Sequence, residues 1–209
     1  GYLGDRFGRK TAVVSGVFLF GALSLATATV GSLGELALVR FLVGVGVGGV
    51  VPNAVAMCNE FAPRRFQVTA VALIFAGYVL GGAGGGIVSA WLMPQYGWQV
   101  IFVVGGAIPI LLAVVLGVSL PESIKFLAMN KRDGHQSRAM RIAAQMRPDL
   151  RIDAQTVLVN DAAGAHETRL RDLFDGRLEV MTPLLWLLYV ANSVTVFALI
   201  SWMPTVIES

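Results

Sequence analysis

The chain has 209 residues, 56% of them hydrophobic and only 14% charged, with a mean hydropathy of +0.70. A soluble domain carries about a quarter charged residues, so this composition excludes an ordinary soluble fold and points to a polytopic membrane protein. The net charge of +3 sits in loops, with no Arg-rich face interleaved with aromatics, which argues against nucleic-acid binding.

Gly1-Tyr2-Leu3-Gly4-Asp5-Arg6-Phe7-Gly8-Arg9-Lys10 reads as a short charged loop, with one acid, three bases and three glycines. Asp5 suits a helix N-terminus, where free N–H groups favour an anion. Gly4 and Gly8 permit a tight turn. The bases are also what any loop beside a span can carry. No charge follows until Glu35, and a first span is expected from about Thr11 to Val30. After the turn Gly31–Glu35, a second span runs from about Leu38 to Cys58. That lone cysteine lies in an apolar run without an internal disulfide partner. The polar loop Asn59–Arg65 follows.

From Arg65 to Glu122 there is no charge at all, too long a stretch for one crossing. Met93-Pro94-Gln95-Tyr96-Gly97-Trp98 divides it through turn residues and interfacial aromatics. The third span is therefore about Gln67–Leu92 and the fourth about Trp98–Leu120. Ser123–Met129 is read as continuing the fourth span. Gln136–Met146 has helical spacing, and Leu170–Phe174 reads as an amphipathic lead-in to a fifth span, about Thr182–Ile207. His135 and His166 have no cysteine or carboxylate at ligand spacing, so no metal site is expected. Apart from Arg40, just inside a span, the basic residues fall on one side of all five spans, which places the N-terminus and the long loop in the cytoplasm. The chain starts in a loop without a methionine, so a piece of a longer protein is expected.

Arg40 is an ionisable residue near a span interior, which is a functional signal unless its side chain simply snorkels to the headgroups. Gly44 and Gly48 form GxxxG, and Gly77, Gly81 and Gly85 stand four apart, both patterns of close helix packing. Pro52 interrupts its helix ladder and suits a bend. Tyr78 and Tyr189 need partners for their hydroxyls. No span holds a nucleophile–base pair, so an enzyme is not expected.

The opening G-x-L-x-D-R-x-G-R-K resembles the signature loop between the second and third helices of the major facilitator superfamily. Arg40-Phe41-Leu42-x-Gly44-x-Gly46-x-Gly48-Gly49 with Pro52, then Glu60-x-x-Pro63-Arg64-Arg65, is similar to its fourth helix and following loop. Pro121-Glu122-Ser123 with Phe126-Leu127 resembles the sixth-helix motif of sugar porters, with Lys125 where they carry an arginine. The last span, with Asn192, Ser193 and Ser201-Trp202-Met203-Pro204-Thr205, resembles the seventh helix of the aromatic acid:proton symporters, the 4-hydroxybenzoate and benzoate carriers.

The resemblance implies an all-α polytopic membrane bundle, partial, with five transmembrane helices and a cytoplasmic loop. Residues 1–120 would belong to the N-terminal transmembrane half, 121–180 to the central loop, and 181–209 to the first helix of the second half. It implies proton-coupled uptake of an aromatic carboxylate by alternating access, driven by the proton gradient without a cofactor, in a bacterial inner membrane. The complete protein would be monomeric. Gly1, Asp5, Arg6, Gly8, Arg9 and Glu60 would form the conformational switch, with Glu60 pairing with bases such as Arg9. Arg40 would serve coupling or the substrate anion, since its planar fork suits a carboxylate. Asn53, Tyr78, Asn192, Ser193 and Trp202 would line the substrate path, although Trp202 also suits an interfacial belt. The alternatives are a sugar or other organic-anion transporter of the same superfamily, and a truncated membrane protein that transports nothing.

Overall fold

In a hydrocarbon solvent every backbone N–H and C=O must find an internal partner, and a helix satisfies them within one segment. The computed structural model describes residues 2–129, 139–142, 174, 176 and 178–208, apart from the side chains of 2, 3, 5, 129 and 200–208. All regular structure among these residues is helical. The helices are α1 (Tyr2–Phe7), α2 (Arg9–Thr27), α3 (Leu33–Phe61), α4 (Gln67–Tyr96), α5 (Gln99–Ser119), α6 (Ile124–Met129) and α7 (Leu178–Glu208). A 3₁₀ turn, Arg64–Phe66, leads into α4. Helices α2, α3, α4, α5 and α7 are long and apolar enough to cross a membrane. The shortest of these, α2, has 19 residues and spans about 28 Å, close to the hydrocarbon thickness.

Two compact units divide the chain, Gly1–Asn160 and Asp161–Ser209. In the first, α2 is central and packs against both α3 and α5, whereas α4 touches α3 and α5 more lightly and buries no residue. In the second, Phe174 meets Trp186 edge to face at 5.9 Å, and the Thr195 hydroxyl donates to the Ala191 carbonyl within α7.

The chain departs from the sequence expectation in three places. The opening ten residues are not a loop: α1 runs to Phe7 and is broken from α2 by Gly8 at φ 99, a conformation that a Cβ disfavours. Pro94 lies inside α4, and the turn comes later, at Gly97 with φ 80. Proline there removes one bond of the ladder, the N–H that would reach the carbonyl four residues back, but does not end the helix. Ser123–Met129 does not continue the fourth span. Leu120 is extended, at φ −77 and ψ 124, as a residue before proline prefers, so α6 starts anew. Of the loop calls, Gln136–Met146 is described only as helical at 139–142 and Leu170–Phe174 only at Phe174; His135 and His166 lie outside the described residues.

Among the described residues, glycine sets the helix crossings of α2 at Gly16 and Gly21. A Cβ on Gly16 would stand 2.5 Å from Val50 Cγ2 and 3.2 Å from the Gly46 carbonyl, where α2 meets α3. A Cβ on Gly21 would stand 2.7 Å from the Gly106 carbonyl, where α2 meets α5. Gly44, Gly48, Gly77, Gly81 and Gly85 have no atom within 4 Å of the place a Cβ would take. Their faces are open among the described residues. Gly21→Ala should therefore separate α2 from α5 at a cost of roughly 1–3 kcal/mol. Gly34→Ala, in open space, should change stability by less than about 1 kcal/mol. Apparent melting temperatures in detergent test the contrast; equal shifts would mean that the α2–α5 crossing does not depend on glycine.

Candidate functional site

A helix begins with free N–H groups that attract negative charge. Helix α2 has no side-chain cap of its own at Gly8. Glu122 supplies one from far along the chain: its Oε1 accepts the Lys10 N–H at 2.9 Å and the Ser123 N–H at 3.0 Å. Gly8 is required here twice over, by its positive φ and because a Cβ would sit 2.5 Å from Glu122 Oε2. Pro121 and the extended Leu120 aim Glu122 at this point by ending α5.

Beside this cap lies an ion pair. Arg9 Nη1 donates to Glu60 Oε1 at 2.5 Å, with the two side chains only 12% and 17% exposed. The other oxygen, Oε2, accepts the Ser123 hydroxyl at 2.6 Å. Ser123 is fully buried, and its Oγ accepts the Phe126 N–H at 3.1 Å, which caps α6. One carboxylate at the end of α3 thus ties the start of α2 to the start of α6 through charge-assisted hydrogen bonds. In the same region Gly4 lets α1 lie on α3: a Cβ there would overlap Asn53 Oδ1. Asn53 is buried and donates to the Gly49 carbonyl at 2.7 Å.

The opposite end of the bundle is organised by Arg40. Its Nη2 donates to the buried Thr27 hydroxyl at the end of α2. Thr27 in turn donates to the Leu23 carbonyl at 2.9 Å. The guanidinium lies 4.8 Å from the centre of the Phe102 ring on α5, a cation–π distance, and Trp98 meets Phe102 edge to face at 5.8 Å. Arg40 Nε is buried with no acceptor among the described residues. The start of α3 is fixed nearby by Ser32, whose Oγ accepts the Glu35 N–H at 3.3 Å, while Glu35 Oε2 accepts the Gly31 N–H at 3.1 Å.

Among the expected switch residues, the structure therefore brings Gly8, Arg9 and Glu60 to one place. Arg6 is exposed and lies 5.7 Å from the Phe7 ring centre. Asp5 is in α1, but its side chain and all of Gly1 lie outside the described residues, as does the Trp202 side chain in α7. Tyr78 on α4 is exposed, as is Asn192 on α7, and Ser193 is half-buried. Glu122 and Ser123 had no site role in the sequence reading, although both stood in a quoted motif. Their signal was an acid and an N-cap serine directly before a short helix.

The chain matches the Major Facilitator Superfamily over residues 1–209. It is 39% identical over its whole length to the 4-hydroxybenzoate transporter PcaK of Pseudomonas putida, covering 46% of that protein. Over 98% of its length it is 34% identical to the gallate transporter of Pseudomonas putida, covering 45% of it. Over 94% it is 30% identical to the benzoate transport protein of Acinetobacter baylyi, covering 42%. The chain thus spans less than half the length of these relatives.

Arg9 and Glu60 should be energetically coupled, because removing either leaves the other charge facing a half-dry site. In a double-mutant cycle, Arg9→Gln and Glu60→Gln should couple by roughly 1–3 kcal/mol in unfolding free energy. Strict additivity would show the pair to be idle.

Proposed function

The chain belongs to the Major Facilitator Superfamily, and on that premise we propose that its protein carries an aromatic carboxylate across the membrane with a proton, by alternating access. The observation that carries this reading is similarity along the whole chain to proteins whose names specify 4-hydroxybenzoate, gallate and benzoate transport. The chain is that of a multi-pass membrane protein, and transport rather than catalysis accounts for it.

The geometry supports a division of labour between the two ends of the first unit. At the Arg9 end, Glu60 bridges Arg9 and Ser123 while Glu122 caps α2. Such contacts can be made or broken as whole sets when helices rock, which suits a switch with two discrete arrangements. We assign this role to Gly1, Asp5, Arg6, Gly8, Arg9 and Glu60, and extend it to Glu122 and Ser123. By the distribution of basic residues, that end and residues 121–180 face the cytoplasm of a bacterial inner membrane. At the other end, Arg40 holds a donor with no acceptor, Nε, among the described residues. Nε is buried, so an anion would meet this spare donor in an arrangement that uncovers the guanidinium, as alternating access provides. Within α7, Asn192 and Ser193 interrupt a long apolar run and offer polar contacts along a path. Asn53 is spent on packing between α1 and α3.

Cells expressing the complete gene should accumulate labelled 4-hydroxybenzoate above vector controls, and a protonophore should abolish the accumulation. Uptake at the vector level, or uptake that survives collapse of the proton gradient, would sink the proposal. Arg40→Lys keeps the charge but loses the fork, and should slow uptake roughly tenfold or more, the worth of one charge-assisted hydrogen bond. Wild-type rates in that variant would show that Arg40 needs only to be positive.

A further inference from the structure

Between α2 and α5, at the Arg9 end, the surface carries an open furrow of about 490 Å³ lined by Val14, Phe18, Val114, Gly117 and Val118, with Lys10 at one end. Lys10, Val14 and Phe18 are four apart on α2, and Val114 and Val118 four apart on α5, so the furrow follows the helix axes. From Lys10 to Phe18 the rise is about 12 Å, close to the depth of one leaflet's hydrocarbon, about 15 Å. Gly117 keeps the furrow deep: the nearest atom to a Cβ there is Val14 Cγ1, at 3.8 Å. Phe18 and Val118 are 51% and 85% exposed, so the furrow is open along its side.

The polar end of this furrow carries one cation. The Lys10 backbone N–H is taken by Glu122, but its ammonium makes no ion pair among the described residues. Glu122 has its Oε1 turned to the N–H groups of Lys10 and Ser123. Thr11 adds a hydroxyl beside Lys10, and Ser15 lies one turn further in, its own hydroxyl donating to the Ala12 carbonyl.

We propose that this furrow holds one acyl chain of an anionic phospholipid, whose headgroup phosphate rests on Lys10. An apolar slot ending in a single cation is complementary to an amphiphile with a negative head. Basic positions between membrane helices suit anionic headgroups in this way, and the open side admits a chain from the bilayer. The assignment is independent of which solute the protein carries.

The test is photolabelling of the complete protein in nanodiscs, using phosphatidylglycerol or phosphatidylcholine with a diazirine in one acyl chain. Wild-type protein should yield about fivefold more labelled peptide from residues 10–18 and 113–118 with phosphatidylglycerol, the preference one lysine near a headgroup provides. Lys10→Gln should bring the two lipids level, and Lys10→Arg should keep the preference. Equal labelling of wild-type protein by both lipids would overturn the headgroup assignment. No labelling of these peptides would mean that another protein segment covers the furrow, and would overturn it too. Loss of phosphatidylglycerol labelling on adding excess 4-hydroxybenzoate would give the site to a soluble anion instead. If Lys10→Gln fails to insert, the wild-type ratio and Lys10→Arg still decide the matter.

Discussion

The carboxylate of Glu60 is the contact on which one end of the first unit depends. It receives a guanidinium from α2 on one oxygen and a hydroxyl from the start of α6 on the other. Charged groups near apolar surroundings are tolerated when they are paired and fully hydrogen-bonded. Here each participant satisfies another: Arg9 neutralises Glu60, Ser123 occupies its second oxygen, and the same Ser123 caps α6. Removing one member strands the rest, so these positions act as a set.

The same end shows why two unrelated chain features coincide in space. Gly8 breaks the helix and leaves α2 without a cap of its own, while Pro121 breaks the chain after α5 and turns Glu122 towards that gap. A defect in one element is met by a group from another. At the opposite end Arg40 plays a related part with softer partners, a threonine hydroxyl and an aromatic face, so that α2, α3 and α5 meet there as well.

Much of this architecture was legible in the sequence, because crossing a membrane imposes length and apolarity on every span. Long apolar stretches, with turn residues dividing the longest, marked all five helices to within about five residues. Breaks were harder to place. Pro94 looked like a turn and is helical, whereas Pro121 ended a helix that the apolar pattern seemed to continue. Local chemistry cannot separate these cases, since the outcome depends on whether a neighbouring group awaits the residues that follow. The Arg9–Glu60 contact was anticipated through a family resemblance. The participation of Ser123 and Glu122 was not, since 63 and 112 residues separate them from Glu60 and Lys10. The glycines at the α2 crossings, Gly16 and Gly21, were not singled out for a similar reason: spacing reveals a smooth helix face but not which face meets a neighbour.

The distance along the chain between Lys10 and Glu122 has a consequence for how the protein is made. A ribosome adds about 5–20 residues each second, so the 112 residues between them take roughly 6–20 s to synthesise. During that interval α2 and α3 can pair through Arg9 and Glu60, but the N-terminus of α2 has no cap from Glu122 and Glu60 has no hydroxyl from Ser123. Until Glu122 and Ser123 are synthesised, after α5, the charged end shared by α2 and α3 is therefore only half satisfied.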